Sequence, residues 1–208
     1  MDQAVEAVLA EYDARAAAEE EQTRHVSAAD VGRHIDDLLL RVGPRTGLLL
    51  NLLVKEAGAR HIVEVGTSYG YSTVWLAEAA RHTGGRVTTL EIHPGKIEYA
   101  AAMLGKAGLA AQVQFRPGDA RMTLVDLAGP IDFVLLDLWK DLYVGCFDLL
   151  HPKLAAGAIL VADNMTYPQI SRLAAAHYRR HVRAAVGMSS VMLPIGSGLE
   201  VSRFRADP

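Results

Sequence analysis

Oxygen-bearing side chains and a lysine follow two apolar stretches of the sequence. Asp137 follows one stretch, with Lys140 three residues beyond it, and Asp163 and Asn164 follow the next. Carboxylate and amide oxygens with no cysteine or histidine beside them suit a hard divalent cation. A site with few protein ligands also leaves room for water and substrate oxygens, which favours Mg²⁺. Asp137, Asp163 and Asn164 are therefore candidate ligands of Mg²⁺ or another divalent cation.

A second explanation exists for these residues, because Asp and Asn are common helix N-caps after a strand. Ligands of a doubly wound sheet lie outside the carboxyl ends of the strands, so two adjacent strand ends would bring all three residues together, which favours the metal. A cation beside Lys140 would lower the pKa of that lysine by like charge, which suits an amine base. A surface lysine at a helix start is the alternative for Lys140.

The elements that must position these residues are short apolar runs, each followed by a segment of helix length. Runs that are apolar on both faces belong to a parallel sheet covered by helices on each side. The last two runs are joined by a short Gly/Pro connection, which favours an antiparallel hairpin. We therefore predict an α/β fold with a doubly wound, seven-stranded, mostly parallel sheet. The predicted strands are residues 61–65, 87–91, 112–115, 131–136, 158–162, 184–193 and 199–204, with a helix at 169–181.

Residues 1–58 are predicted to form a helical preface to an α/β core at 59–208, all within one domain. Apolar residues at helical spacing from Val5 onwards predict a first helix. Ser27 is a candidate N-cap of a second helix, with Asp30 in its first turn. The Gly43-Pro44 pair ends that helix, and residues 48–54 make a third.

The overall composition excludes several classes of protein. A net charge of −3 argues against a nucleic-acid partner, which needs a clustered basic excess. No apolar run approaches the ~20 residues that a membrane helix requires. The single cysteine, Cys146, allows no intrachain disulfide, and the acidic start of the chain does not resemble a signal peptide. These features predict a cytoplasmic protein with neither a nucleic acid nor a membrane as partner.

A glycine-containing turn after the first predicted strand suggests a cofactor site. The spacing Gly66-x-x-x-Gly70 lets the backbone approach a ligand, and the following helix adds free N–H donors. It is not the Gly-x-Gly-x-x-Gly pattern of dinucleotide sites, which disfavours a nicotinamide dehydrogenase. Glu91 closes the second strand, where a carboxylate can accept the ribose hydroxyls, and Asp119 follows the third, near an adenine edge. Chain reversal and solvated caps are the alternatives; the order of the three features favours an adenosine-containing ligand.

Three motifs in the second half of the chain stand in a characteristic order. They are Asp137-x-Trp139-Lys140-Asp141-x-Tyr143, Asp163-Asn164 and Gly198-Leu199-Glu200. Together with the 64–72 loop, they resemble the catechol O-methyltransferase family, and more broadly the metal-dependent class I O-methyltransferases that include caffeoyl-CoA methyltransferases. The similarity covers about residues 40–204. It implies a Rossmann-like class I methyltransferase fold with S-adenosyl-L-methionine as cofactor.

The resemblance also implies roles for individual residues. Asp137, Asp163 and Asn164 would bind Mg²⁺, Lys140 would be the general base, and Glu200 would orient a second substrate hydroxyl. A solvated strand-face glutamate is the alternative for Glu200. Residues implied in cofactor binding are Val42, Glu64, Gly66, Ser68, Tyr71, Ser72, Glu91, Ile92, Asp119, Ala120, Asp137 and Trp139.

Two departures from the animal catechol enzymes weaken the inference about the adenine pocket. Ala120-Arg121 replaces a Ser-Gln pair, and Leu138 stands where those enzymes carry His. In many bacterial members the N-terminal region contacts a partner subunit or covers the substrate, so a homodimer is one expected assembly.

The sequence predicts transfer of a methyl group from S-adenosylmethionine to a hydroxyl of a catechol-like or other vicinal-dihydroxy aromatic molecule. A phenol of pKa near 10 is mostly neutral at pH 7, and a cation beside its oxygen favours the reactive anion. Two other readings stay open. One is a metal-independent methyltransferase acting on nitrogen or a carboxylate, and the other is a module that binds the cofactor without turnover.

Overall fold

A single seven-stranded sheet forms the centre of the molecule, whose computed structural model describes residues 1–27, 30 and 33–206. The strands are β1 His61–Val65, β2 Arg86–Glu91, β3 Val113–Pro117, β4 Ile131–Leu136, β5 Leu154–Ala162, β6 Met188–Leu193 and β7 Leu199–Phe204. Their order in the sheet is β3-β2-β1-β4-β5-β7-β6. All neighbours pair in parallel except β7, which is antiparallel to β5 and to β6. The predicted doubly wound sheet with a C-terminal antiparallel hairpin is therefore confirmed.

Helices cover both faces of the sheet, because its central strands carry apolar side chains on both sides. On β1, Ile62 packs with the helices of one face and Val63 with those of the other. The α-helices of the described residues are α1 Gln3–Thr23, α2 Pro44–Glu56, α3 Tyr71–Thr83, α4 Pro94–Lys106, α5 Ala120–Val125, α6 Tyr143–Leu150 and α7 Arg172–Ala184. The first face carries α2, α3 and α4, with α1 packed outside α3 and α4; the second carries α5, α6 and α7.

Several element boundaries differ from the predicted ones. β5 begins at Leu154 rather than 158, because Leu154 pairs with Ile131 although the intervening Ala-Ala-Gly has little β-propensity. The helix predicted at 169–181 runs from Arg172 to Ala184, so β6 starts at Met188 instead of 184. β1, β4 and β7 have the predicted bounds, and β2 and β3 differ by one or two residues at an end.

Two α-helices of the described residues, α1 and α2, precede β1, while the division into a preface and a core stays a prediction. α1 is capped by Asp2, whose carboxylate accepts the Val5 N–H. α2 starts at Pro44 rather than 48, because proline suits the first helical position. The second predicted helix falls partly on residues 28, 29, 31 and 32, which lie outside the described residues; at its start, Ser27 Oγ accepts the Asp30 N–H at 3.2 Å, as an N-cap does. It does not continue to Gly43 as predicted, because the described residues after it form only a short 3-10 helix at Ile35–Asp37 and extended backbone from Leu38. Among the described helices, none is long and apolar enough to cross a membrane.

Candidate active site

The carboxyl ends of β1, β4 and β5 lie side by side at one edge of the sheet. The Asp137 N–H donates to the Val65 carbonyl at 2.9 Å, and the Asp163 N–H donates to the Leu136 carbonyl at 3.1 Å. These bonds continue the parallel pairing one residue past the strands. As predicted, they bring Asp137, Asp163 and Asn164 to one place.

Lys140 lies at the centre of this group. Its ammonium donates to the Leu138 carbonyl at 2.9 Å, the Tyr143 hydroxyl at 2.7 Å and Asn164 Oδ1 at 2.9 Å. It also lies 3.8 Å from Asp137 Oδ1, and the lysine side chain is only 8% exposed. Burial lowers the pKa of Lys140, while the charges of the neighbouring aspartates oppose that shift. The direction of this shift suits a base, and its cause is burial rather than a neighbouring cation.

The two aspartates carry more negative charge than Lys140 neutralises. Burial and the charge of Asp137 raise the pKa of Asp163 to about 7, and burial raises the pKa of Asp137. Two crowded carboxylates and an amide oxygen form a hard oxygen donor set that a divalent cation would stabilise. These residues therefore fit the predicted metal. The described part of the chain contains no cluster of three or more His, Cys, Asp or Glu side chains that could hold a metal. The predicted set is of a different kind, because it has two carboxylates and takes its third oxygen from the Asn164 amide.

The backbone of Asn164 is held in a conformation that non-glycine residues rarely adopt. Its φ is +57°, in the left-handed region, and its N–H donates to Asp163 Oδ1 at 2.6 Å. The next residues are tied to the β6–β7 connection, where the Met165 N–H donates to the Gly198 carbonyl at 2.9 Å. Strained backbone that is fixed by its surroundings is common at functional sites.

The glycine turn after β1 packs against the same strand ends. Gly66 has φ +102°, and a β-carbon there would overlap the Asp137 carbonyl oxygen. Ser68 follows with φ +48°, and its buried hydroxyl has no partner among the described residues. At the other end of the turn Gly70 caps α3 without a side chain, so the first N–H groups of that helix stay available to a ligand.

Glu64 and Glu91 brace this turn from below and from the side. Glu64 is fully buried, and its carboxylate accepts hydrogen bonds from the hydroxyls of Ser72, Thr73 and Thr89, each at 2.6 Å. Burial raises the pKa of Glu64 to about 7. Glu64 thus anchors the turn and α3 through Ser72, and the direct cofactor contact implied by the resemblance does not match this enclosure.

Glu91 lies where a ribose acceptor was predicted, at the end of β2. Its carboxylate accepts N–H groups from Ser68 at 2.8 Å, Ile92 at 2.9 Å and His93 at 3.0 Å. A carboxylate has about four acceptor positions, so one is left for a hydroxyl. Ile92 beside it is exposed.

The remaining cofactor candidates have mixed positions. Asp119 caps α5 and pairs with Arg121, whose hydrogen bonds lower the pKa of Asp119; Ala120 begins that helix. Trp139 is 52% exposed beside Lys140.

Val42 and Tyr71, which the resemblance implies in cofactor binding, both pack in the core cluster of the N-terminal helices. Val42 is buried before α2, so its side chain belongs to the core. The Tyr71 ring lies in the layer of N-terminal helices, edge-on to the Tyr12 ring at 5.6 Å and beneath the Arg41 guanidinium; its contact with the cofactor stays a prediction.

Glu200 lies opposite Ala162 in the pairing of β7 with β5, on the face of the sheet that α7 covers. Leu199 and Val201 pack with the first helical face, so Glu200 points to α7. There it is fully buried, and its oxygens accept from Arg179 at 3.1 Å and from Arg183 at 2.6 and 3.1 Å. These partners favour a structural role over the acceptor-orienting one. The direct role toward an acceptor stays a prediction.

Sequence reasoning assigned no role to Tyr143, which the structure places inside the site. Its hydroxyl accepts from Lys140 and lies 2.9 Å from the Leu136 carbonyl and 3.2 Å from the Asp163 carbonyl. The available signal was its position three residues after Lys140, where a helical turn brings two side chains together.

Comparison with known proteins decides the family. The model of the family described as "O-methyltransferase" matches residues 17–203, which is most of the chain. The chain belongs to the O-methyltransferase family. The predicted resemblance and the class I methyltransferase fold are thereby confirmed.

Individual proteins are also similar to this O-methyltransferase family member in sequence or in structure. A catechol O-methyltransferase of Niastella koreensis is 38% identical over 130 residues, which cover 61% of this chain and 58% of the relative. The chain thus spans less than two thirds of that relative's length. The crystal structure of cofactor-bound Rv0187 from MTB has a TM-score of 0.79 and 28% identity, covering 100% of this chain and 92% of the other. An O-methyltransferase from Bacillus cereus, solved in complex with SAH, has a TM-score of 0.76 and 26% identity, covering 99% and 92%.

Proposed function

We propose that this protein transfers the methyl group of S-adenosylmethionine to a hydroxyl of a catechol-like or other vicinal-dihydroxy aromatic molecule, with a divalent cation, Mg²⁺, at Asp137, Asp163 and Asn164. Family membership and the SAH-bound relative support the cofactor, and the catechol O-methyltransferases among the relatives support the acceptor. The observation that carries the proposal is the close approach of the Gly66 backbone to the Asp137 carbonyl oxygen, because it places the glycine turn directly beside the acidic cluster. A homodimer and a cytoplasmic location stay predictions.

The reaction is a direct displacement. The acceptor oxygen forms a bond to the methyl carbon while the carbon–sulfur bond breaks, and the sulfonium becomes a neutral thioether. The hydroxyl proton must leave as the oxygen attacks, and Lys140 is the group placed to take it. The reaction needs donor and acceptor in line, so the chain contributes chiefly by holding both at one strand edge.

Lys140 can act as a base because it is buried. Burial lowers the pKa of Lys140, which increases the fraction of neutral amine near neutral pH. Its contacts with Leu138, Tyr143 and Asn164 fix the nitrogen in one position. A base held in position contributes typically 10²–10⁴-fold, on the order of 3–5 kcal/mol.

The carboxylates of Asp137 and Asp163 and the amide oxygen of Asn164 would hold the cation. When bound, the cation would favour the ionised form of the acceptor hydroxyl. The chain's own contribution is to keep both carboxylates close together and largely buried, where a bound cation or an added proton relieves their repulsion.

The test is a methyl-transfer assay with labelled S-adenosylmethionine and catechol, with Mg²⁺ or with EDTA. We expect turnover to need the cation, and Asp163→Asn to reduce it at least about a hundredfold. Asp148→Asn is the matched control, because Asp148 is exposed on α6 and pairs with His181. Full turnover in EDTA would contradict the metal, and no product from a broad phenol panel would contradict the acceptor class.

One observation favours a second candidate, a metal-independent methyltransferase. The Lys140 ammonium already contacts Asn164 and neutralises part of the charge of Asp137. An enzyme of this kind would keep full turnover in EDTA and would lose it in Lys140→Met. The EDTA arm of the assay therefore separates the two candidates.

A further inference from the structure

Tyr143 is a buried tyrosine whose hydroxyl connects the lysine to the strand ends. The residue is fully buried, and its ring is held edge-on by Tyr178 at 5.3 Å. Its hydroxyl accepts from Lys140 at 2.7 Å and donates to the Leu136 carbonyl at 2.9 Å, with the Asp163 carbonyl at 3.2 Å. The ring cannot turn away without breaking core contacts, so the hydroxyl is a fixed acceptor for Lys140.

Lys140 and a cation would need the same amide oxygen. An ammonium has three N–H donors, and those of Lys140 are all used, by Leu138, Tyr143 and Asn164. A cation on Asn164 Oδ1 would lie beside the Lys140 ammonium, and because like charges repel, the ammonium would move away from that oxygen. Two of the three acceptors, Tyr143 Oη and the Leu138 carbonyl, then remain, and both lie on the lysine's own segment of chain.

We propose that Lys140 is an internal competitor for the metal site and that Tyr143 is the positioning residue that holds the displaced ammonium. This inference rests on the proposed cation site. The Tyr143 hydroxyl keeps a buried ammonium hydrogen-bonded after Asn164 is lost, so cation binding does not leave it with one partner. Tyr143 thereby sets how readily the site accepts a cation.

The two residues have opposite expected effects on cation affinity. Lys140→Met removes a positive charge next to the site, so affinity should rise about tenfold or more. Tyr143→Phe removes an acceptor that Lys140 has both before and after displacement. The loss should cost more after displacement, because the ammonium then keeps only the Leu138 carbonyl, so affinity should fall about three- to tenfold. With no ammonium to hold, Tyr143→Phe should have no effect in a Lys140→Met background.

The experiment is a double-mutant cycle on Mn²⁺ binding, measured by paramagnetic resonance of free Mn²⁺ and by calorimetry on the full chain without cofactor or acceptor. The proteins are the wild type, Lys140→Met, Tyr143→Phe and the double variant. Tyr178→Phe is the matched control, because it removes a buried tyrosine hydroxyl that has no partner among the described residues and lies in the same aromatic pair. That control should bind Mn²⁺ as the wild type does.

Each outcome decides the inference. A fall in affinity caused by Tyr143→Phe alone but absent beside Lys140→Met supports it. An equal fall in both backgrounds shows that Tyr143 acts only on the fold, and unchanged affinity in Lys140→Met shows that the ammonium does not compete; either overturns it. Binding by Lys140→Met but not by wild type supports the competition while opposing a metal-dependent wild type. No binding by any of the four proteins overturns both this inference and the proposed cation.

Discussion

The backbone of Gly66 lies against the carbonyl oxygen of Asp137 so closely that a β-carbon on Gly66 would overlap that oxygen. The turn that follows β1 and the acidic segment that follows β4 are therefore in contact through main chain alone. Neither can shift without the other, which couples the predicted cofactor turn to the predicted metal ligands.

Gly66→Ala should break this contact. The substitution places a methyl group on a backbone oxygen and also requires φ +102°, which alanine rarely adopts. We expect the Kd for S-adenosylhomocysteine to rise at least about tenfold in calorimetry. Gly58→Ala is the control, because Gly58 has φ +59° but open space around it. An equal effect of the two variants would show that backbone strain, and not the contact, is responsible.

Glu64 should make stability depend on pH. Its pKa is raised to about 7 in the folded protein from 4.5, so its contribution is fully present below pH 4.5 and is lost as pH rises through 7. The shift corresponds to about 3 kcal/mol. Urea unfolding at a series of pH values should show a smaller decline between pH 4.5 and 7 in Glu64→Gln than in the wild type. Superimposable profiles would show that Glu64 does not titrate in this range.

Glu200→Gln should affect stability more than catalysis. The carboxylate is fully buried and holds Arg179 and Arg183, which are partly exposed and can turn to water when it is lost. We expect the free energy of unfolding to fall by about 2 kcal/mol, with kcat/KM for the acceptor little changed. Arg183→Gln should lower stability in the same way, and the exposed Arg180→Gln should not. A hundredfold loss of kcat/KM without loss of stability would instead support the acceptor-orienting role.

Lys140→Met should remove the base and leave the cofactor site intact. Turnover should fall on the order of 10²- to 10⁴-fold, with the Kd for S-adenosylhomocysteine unchanged. In the wild type, turnover should rise with pH as the ammonium loses its proton, at a lower pH than for an ordinary lysine, because burial lowers the pKa of Lys140. A variant with wild-type turnover would exclude Lys140 as the base.

The sequence alone determined the order of strands and helices along the chain, because apolar periodicity is a local signal and each central strand is apolar on both faces. It also determined that Asp137, Asp163 and Asn164 follow strands, and topology then makes parallel strand ends neighbours. It could not determine the start of β5, since Leu154 joins the sheet through pairing with Ile131 and not through its own propensity.

Only the tertiary structure decided which partners the side chains meet. Lys140 reaches Asn164 across 24 residues of sequence, and Tyr71 turns toward α1 instead of the glycine turn. Glu200 faces α7 because of the register of β7 against β5. Its partners Arg179 and Arg183 lie on α7, and the alternation of residues along β7 does not show which helix covers that face. Motif spacing specifies which residues stand at a strand end, whereas contacts between distant segments depend on how helices pack on each face of the sheet.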